Sequence, residues 1–253
     1  MANPRPMLGR PLSPDLLLEE GFIDRIPGDI TKGSGEPVTR FEILTCYGYS
    51  AQDNSSSHPG SVLAIQQEEE NTYRITEERF LNQMHVRRNS QLVTAEDGTL
   101  RSFTQKTAFF LDGHEERSLS ELAYSGTTLP DGTFLIKAGD RPFWRLPAGQ
   151  PVYASWTLLL DGALLLRIAE TKQAICILED LVSPRVDQHL RRAPELGTSR
   201  TRDYGLHCIL RTGRGAPPVE YWLDAHQQVW GMIGFDIMLM REDVFDPEKN
   251  GEN

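Results

Sequence analysis

Residues 91–103 read Gln-Leu-Val-Thr-Ala-Glu-Asp-Gly-Thr-Leu-Arg-Ser-Phe, and this stretch decides the fold class. Two short runs rich in apolar and β-branched residues, Gln91–Ala95 and Thr99–Phe103, flank the dipeptide Asp97-Gly98. Asp-Gly between such runs is the strongest short-range signal for a β-hairpin, because both residues favour tight turns. The stretch therefore predicts two antiparallel strands joined at Asp97-Gly98.

The same signal recurs along the chain. Asp112-Gly113 follows Thr107–Leu111, Asp131-Gly132 precedes Thr133–Ile136, and Asp161-Gly162 joins Ser155–Leu160 to Ala163–Ile168. Four further strand-like runs follow: Leu206–Leu210, Val219–Leu223, Val229–Ile233 and Ile237–Met240. Together these runs predict a mainly β, predominantly antiparallel protein with under about a fifth of its residues in helices.

Helical signals are few. A cap serine at Ser13, a proline at the first position and a stop at Gly21 predict one short helix over Pro14–Glu20. The segment Pro184–Arg192 suits another turn or two of helix. The leucine-rich run Pro151–Ala169 suits either a hairpin or a buried helix, and its central Asp161-Gly162 favours the hairpin.

The strands predict one β domain. We expect an N-terminal arm with the short helix over residues 1–40, the antiparallel domain over 41–243 and a flexible C-terminal tail over 244–253. Glycine and proline cluster within 138–150, but the strands on either side are too alike to indicate two unlike domains. Long loops are expected at 26–37, at 52–60 and in the arginine-rich stretch 191–202.

Composition excludes some classes of function. The chain has 36 Asp and Glu against 26 Lys and Arg, a formal net charge of −10, which argues against a nucleic-acid binder. The N-terminus has no apolar core of a secretory signal, and no apolar run approaches the ~20 residues that span a bilayer. We therefore expect a cytoplasmic protein that does not span a membrane. A mature form whose signal was removed is the alternative.

No catalytic or metal-binding motif is evident. Cys46, Cys176 and Cys208 lie far apart in apolar contexts, which predicts buried reduced thiols. His114-Glu115-Glu116 lacks the spacing of a zinc motif and is interpreted as a solvated hairpin end. His207 and Cys208 are adjacent, so they point to opposite faces of a strand and cannot act as a base and its nucleophile. No cofactor is expected.

Two segments resemble the half-barrel proteins related to bacterial lipoprotein carriers. One is Val219-Glu220-Tyr221-Trp222-Leu223-Asp224, followed by a turn and Val229–Ile233; the other is Thr94–Phe103. The turn here reads Ala225-His226-Gln227-Gln228, where those relatives usually have glycine. The resemblance covers about a tenth of the chain. It implies a single strongly curved antiparallel sheet, or half-barrel, that binds an apolar or aromatic ligand in its concavity.

Aromatic residues are the candidate ligand contacts: Trp156, Tyr221, Trp222 and Trp230. Tyr221 and Trp222 are adjacent in a predicted strand and therefore face opposite sides of the sheet. Tyr221 shares its face with Val219 and Leu223, which predicts that Tyr221 and Leu223 lie in the core. Trp222 is then left to join an exposed aromatic patch or a covering segment. Trp230 and Met232 are expected on one face of the next strand, with Val229, Gly231 and Ile233 on the other.

Three functions stay open at this stage. The preferred one is a non-catalytic binding protein that holds an apolar small molecule, lipid or acyl chain. The second is an interaction or scaffold subunit whose concave face is filled by its own side chains or by a protein partner. The third is an enzyme that uses the pocket to orient and desolvate its substrate. An open apolar cavity would favour binding, and a filled sheet would favour the scaffold.

Overall fold

The computed structural model describes residues 38–45, 61–81, 84–111, 117–203, 205–234 and 237–241 of the chain. Of these, 62% lie in strands and 12% in helices, which confirms the predicted mainly β fold. The strands are β1 (Val38–Thr45), β2 (Val62–Glu69), β3 (Thr72–Leu81), β4 (Met84–Thr94), β5 (Leu100–Leu111), β6 (Ser120–Thr128), β7 (Phe134–Ala138), β8 (Arg141–Leu146), β9 (Val152–Ala154), β10 (Ile175–Glu179), β11 (Ser183–Arg192), β12 (His207–Gly213), β13 (Ala216–Leu223), β14 (Val229–Ile233) and β15 (Ile237–Arg241). The helices are α1 (Ser155–Leu158), α2 (Gly162–Thr171) and α3 (Ser199–Asp203), with a 3₁₀ turn at Pro194–Leu196.

All these strands belong to one sheet, made of two meanders. The first runs from β1 to β8 and the second from β9 to β15. The meanders join where β1 pairs with β15 in the middle of the sheet, so the first and last described strands lie side by side. Neighbouring strands are antiparallel except β9 and β10, which are parallel because α1 and α2 form the crossover between them.

The sheet is strongly curved, as predicted, and forms a half-barrel. Laid flat, its 15 strands would separate the edge strands β8 and β9 by about 65 Å, at about 4.8 Å per strand. The chain from Leu146 to Val152 spans at most about 20 Å. The sheet must therefore curl until its two edges approach each other, although β8 and β9 do not pair.

The core lies on the concave face. Phe41 of β1 is opposite Leu63 of β2, and Ile65 is opposite Ile75 of β3, each at most 1% exposed. Helices α1 and α2 pack into the same concavity and belong to the same cluster of buried residues. Arg167 of α2 donates a hydrogen bond of 2.9 Å to the backbone oxygen of Asp97 in the β4–β5 turn. Side chains and helices thus fill much of the concave space.

The hairpin prediction for Pro151–Ala169 is wrong. This segment forms β9, α1 and α2, and Asp161 is the N-cap of α2, where its Oδ1 accepts a hydrogen bond of 2.8 Å from the backbone N–H of Leu164. Asp-Gly occurs at the start of helices as well as in turns, because aspartate is among the preferred N-cap residues. Of the leucines on both sides, all but the partly buried Leu160 are buried in the crossover.

The other local predictions have mixed outcomes. The turns at Asp97-Gly98 and Asp131-Gly132 are confirmed, since they join β4 to β5 and β6 to β7. The helical interpretation of Pro184–Arg192 is wrong, because this segment is strand β11. The predicted helix Pro14–Glu20 and the turn Asp112-Gly113 lie outside the described residues, as does the C-terminal tail 244–253. Among the helices that the structure describes, none is long and apolar enough to cross a membrane.

Candidate functional site

The four aromatic residues predicted as ligand contacts are buried, and they are not brought together around one cavity. Tyr221 and Leu223 are 0% exposed on the concave face, which confirms their predicted place in the core. Trp156 lies in α1 and is 3% exposed. Trp222 is 1% exposed on the opposite face, so the alternative of an exposed aromatic patch at this residue is wrong.

Trp230 stands at an irregularity in the sheet. Trp222 is opposite Gly231, but Leu223 is opposite Val229, so β14 carries one extra residue at Trp230. A bulge of this kind shifts the alternation of side chains. Val229 therefore joins Leu223 and Met232 joins Tyr221 on the concave face, contrary to the predicted separation of Val229 from Met232.

Exposed aromatic side chains occur far from β13 and β14, at the edge of the sheet that β8 forms. We define the edge patch as Leu122, Tyr124, Phe143 and Trp144. Leu122, Phe143 and Trp144 are 42%, 48% and 47% exposed. The ring centroid of Phe143 is 5.7 Å from that of Tyr124 and 5.8 Å from that of Trp144. The three aromatic rings of the patch are thus in contact through Phe143, and Leu122 lies two residues before Tyr124 on the same strand.

Pairing partners place the edge patch on the concave face. Leu122 and Tyr124 lie opposite the buried Thr107 and Gln105 of β5, and Trp144 lies opposite the buried Ile136 of β7. Phe143 is the unpaired residue of a bulge in β8. Because of the bulge, Phe143 contacts Tyr124 instead of pointing to the other side, so adjacent aromatic residues share one face.

A row of polar residues leads away from the edge patch along the same face. Glu77, Arg88, Thr107 and Leu122 lie directly opposite one another across β3, β4, β5 and β6. In the next row, Ser90 donates to the Gln105 amide oxygen at 3.3 Å. The concave face therefore has a polar strip beside the edge patch.

The polar strip ends in an interior charged cluster, which we define as Glu77, Arg79, Arg88, Glu179, Asp180, Arg185 and Arg211. Glu77 is 2% exposed and accepts hydrogen bonds from both Arg79 and Arg88. Glu179 accepts from Arg185 at 2.6 Å and from Arg211 at 2.5 Å. Asp180, in the turn between β10 and β11, lies 3.3 Å from Arg88 Nη1 and 3.6 Å from Arg79 Nη2. These contacts tie β10–β11 to β3–β4 across the concavity.

Tyr221 borders the charged cluster. Burial raises the pKa of its hydroxyl, and the charge of Arg211 partly offsets this effect. The Nε of Arg88 is buried and has no hydrogen-bond acceptor among the described residues. The cluster therefore contains a buried donor that is not used.

A second concave feature lies on the outer face of β4–β7. It is a groove of about 280 Å³. Its lining combines hydroxyl and amide side chains, one ammonium group and three apolar side chains, with no carboxylate: Gln91, Val93, Ser102, Phe103, Thr104, Ser125, Gly126, Thr127, Leu135 and Lys137. Most of its lining surface is apolar, but it contains none of the four aromatic residues that the sequence predicts as ligand contacts.

The described residues form no cluster of His, Cys, Asp or Glu that could hold a metal ion. His207 lies opposite Leu223, and Cys208 lies opposite Trp222, so these two residues face opposite sides of β12 as predicted. Burial lowers the pKa of His207. Cys176 and Cys208 are buried and unpaired with another cysteine, which confirms the prediction for these two thiols. Cys46 and His114 lie outside the described residues.

Comparison with known proteins adds no relative. No family model matches this chain, and no curated protein or solved structure matches it at a significant level.

Proposed function

We propose that this protein is a non-catalytic binding protein that holds an apolar small molecule or acyl chain against its curved sheet, at the edge patch. The observation that carries the proposal is the exposure of Leu122, Phe143 and Trp144, each more than two-fifths exposed, beside Tyr124 on the concave face. Contiguous exposed apolar surface on a soluble domain commonly marks a binding site.

The burial of the aromatic residues predicted from sequence supports moving the site to the edge patch. Trp156 and Tyr221 pack within the core and Trp222 lies on the other face, so these residues have little surface left for a ligand. The edge patch keeps the predicted chemistry, because its aromatic rings offer a flat apolar surface next to polar groups.

The wider functional setting is part of the same proposal. We place the protein in the cytoplasm and take its partner to be an apolar small molecule or lipid rather than nucleic acid, in keeping with the net charge of −10. The relation to lipoprotein-carrier half-barrels is likewise proposed, supported by the curved sheet and the two sequence segments.

Tryptophan fluorescence tests the proposal. Trp144 is 47% exposed, while the other three tryptophans are at most 7% exposed, so a ligand on the edge patch should shift the emission of Trp144 to the blue. Titration with dodecanol should saturate, and Phe143→Ala should weaken binding roughly tenfold, as loss of a central aromatic contact does. Val186→Ala, at a 38% exposed apolar residue of β11, is the matched control and should change nothing. Equal binding by wild type and Phe143→Ala would refute the edge patch as the site.

The filled concavity favours an interaction subunit as a second candidate, because buried side chains and two helices occupy the space that a deep ligand would need. In that case the edge patch contacts protein. Native mass spectrometry of the purified chain separates the two: an added mass of a few hundred daltons supports a small ligand, and a stable complex of higher order supports the subunit.

A further inference from the structure

The turn between β10 and β11 contacts the opposite side of the half-barrel through one acidic side chain. Asp180 is at the tip, with φ 51°, and Leu181 follows with φ 61°. Left-handed backbone is unfavourable for a bulky residue such as leucine, so this tip is strained and must be held by its surroundings. Two features stabilise this conformation: Leu181 is buried, and two arginines face Asp180.

Asp180 is held less tightly than the other carboxylates of the interior charged cluster. Glu77 and Glu179 each accept hydrogen bonds from two arginines. Asp180 lies 3.3 Å and 3.6 Å from its two guanidinium nitrogens, beyond the 2.7–2.9 Å of a charge-assisted hydrogen bond, and its side chain is 36% exposed. The Nε of Arg88 is buried and has no acceptor. Arg88 can thus bind a better-placed carboxylate.

Arg88 is also within reach of the edge patch. Arg88, Thr107 and Leu122 lie opposite one another on β4, β5 and β6, which puts Leu122 two strand spacings, about 10 Å, from Arg88. Thr107 between them is 4% exposed, so a ligand reaches Arg88 only when this strip opens.

We propose that Arg79 and Arg88 are the receptor for a carboxylate head group on the ligand, and that Asp180 occupies this receptor when no ligand is bound. The inference rests on the proposed function, because it adds a carboxylate head group to the apolar ligand that is proposed to bind at the edge patch. The ligand class is then a carboxylic acid with an apolar chain. Its carboxylate displaces that of Asp180, accepts from Arg88, and releases the β10–β11 tip.

The charge balance supports an acidic ligand. At the proposed receptor the guanidinium groups of Arg79 and Arg88 face two carboxylates, those of Glu77 and Asp180. Loss of the Asp180 carboxylate from this site without a replacement would leave a largely buried positive charge uncompensated, which is unfavourable. A ligand carboxylate that takes the place of Asp180 keeps the charges balanced, whereas a neutral ligand does not.

Asp180→Asn tests the proposal, because it removes the internal carboxylate and asparagine tolerates a positive φ. Asp187→Asn is the matched control: Asp187 lies in β11 with φ 53°, and no arginine ion pair to it is present among the described residues. Asp180→Asn should tighten binding of dodecanoate roughly tenfold, within the usual range of coupling between two competing groups. Binding of dodecanol should change less than about twofold, and Asp187→Asn should alter neither.

Hydrogen exchange gives a second readout on the wild-type chain. Saturating dodecanoate should speed exchange at Glu179–Ser183, whereas dodecanol should not. If both ligands bind and Phe143→Ala weakens them, but Asp180→Asn leaves dodecanoate unchanged or tightens both ligands equally, the receptor is refuted and the proposed function stands. If neither ligand binds the wild type or Asp180→Asn, the proposed function and the receptor fall together.

Discussion

Glu77 is the most buried carboxylate of the interior charged cluster, and we expect its substitution to lower the stability of the protein strongly. It is 2% exposed and accepts from Arg79 and Arg88. Removing one partner of a buried ion pair leaves charge without compensation and costs about 3–5 kcal/mol. Glu77→Gln should therefore lower the free energy of unfolding by that amount in urea denaturation followed by circular dichroism.

Glu170 provides the control for Glu77. It pairs with Arg192 at 3.4 Å, but both side chains are more than half exposed. Ion pairs at such positions contribute little, because water screens them. Glu170→Gln should change stability by less than about 0.5 kcal/mol. A similar small change for Glu77→Gln would mean that the arginines find other acceptors.

The two described thiols should be unreactive and should make stability fall at alkaline pH. Burial raises the pKa of Cys176 from 9.0 to about 12, and it also raises the pKa of Cys208. The folded thiols keep their protons while those of the unfolded chain are lost, so this contribution is complete below about pH 9 and is lost as pH rises towards 12. Iodoacetamide at pH 8 should label both residues in urea and neither in the native protein, as read by peptide mass spectrometry. Fast native labelling would contradict the burial.

Strand alternation predicts some of these residue positions and misses others. Tyr221 and Leu223 are predicted in the core because three apolar residues share their face. Phe143 could not be placed, because the bulge in β8 is set by pairing with β7 and leaves no mark in the local pattern. Trp222 is buried because this part of the sheet has two apolar faces, whereas alternation assumes one.

At the scale of an element, the start of α2 is fixed by close packing. A Cβ atom on Gly162 would overlap the backbone oxygen of Gln227 in the β13–β14 turn and would lie 2.7 Å from Leu223 Cδ2. Gly162→Ala should therefore destabilise the protein by more than about 1 kcal/mol, although alanine is the better helix former. Ala163→Ser, at the exposed neighbour, should have little effect in the same thermal unfolding measurement. Stabilisation by Gly162→Ala would show that the turn moves away at no cost.

Element types follow from sequence where a signal has one meaning. Asp97-Gly98 lies between runs that suit strands alone, and its turn is predicted correctly. Asp161-Gly162 lies between leucine runs that suit a buried strand or a buried helix, and the structure has the helix. The hydrogen bond that the backbone N–H of Leu164 donates to the Asp161 carboxylate, together with burial inside the sheet, decides in favour of α2.

At the scale of the whole molecule, the candidate site depends on contacts that no local pattern contains. Asp180 meets Arg88 only because the sheet curls, and the two residues are far apart in the chain. The edge patch likewise combines β6 with β8. The strand patterns predict an antiparallel sheet, and the resemblance to half-barrel proteins implies its curvature. The pairing of β1 with β15 joins residues from opposite ends of the described chain, so no local pattern predicts it.

That strand order predicts that the chain can be cut without losing its fold. The link between β8 and β9 is exposed at Pro147, Ala148 and Gly149, and the two strands that it connects do not pair with each other. The two meanders are joined instead by β1–β15 pairing from Phe41 to Thr45 and by Asp180 with its two arginines. Fragments 1–148 and 149–253, produced together, should therefore purify as a one-to-one complex that unfolds in a single transition. Size-exclusion chromatography with light scattering measures the complex, and circular dichroism measures the transition.

A truncated partner makes this prediction specific to the β1–β15 junction. Fragment 149–236 lacks β15, so β1 and β14 would each expose an unpaired edge, and such edges favour aggregation over defined assembly. This fragment should not form a stable complex with 1–148. If it associates as well as 149–253 does, interior packing rather than strand pairing holds the meanders together. If 1–148 and 149–253 each fold alone and stay apart, the chain consists of two independent units, and the single curved sheet is not the unit that folds.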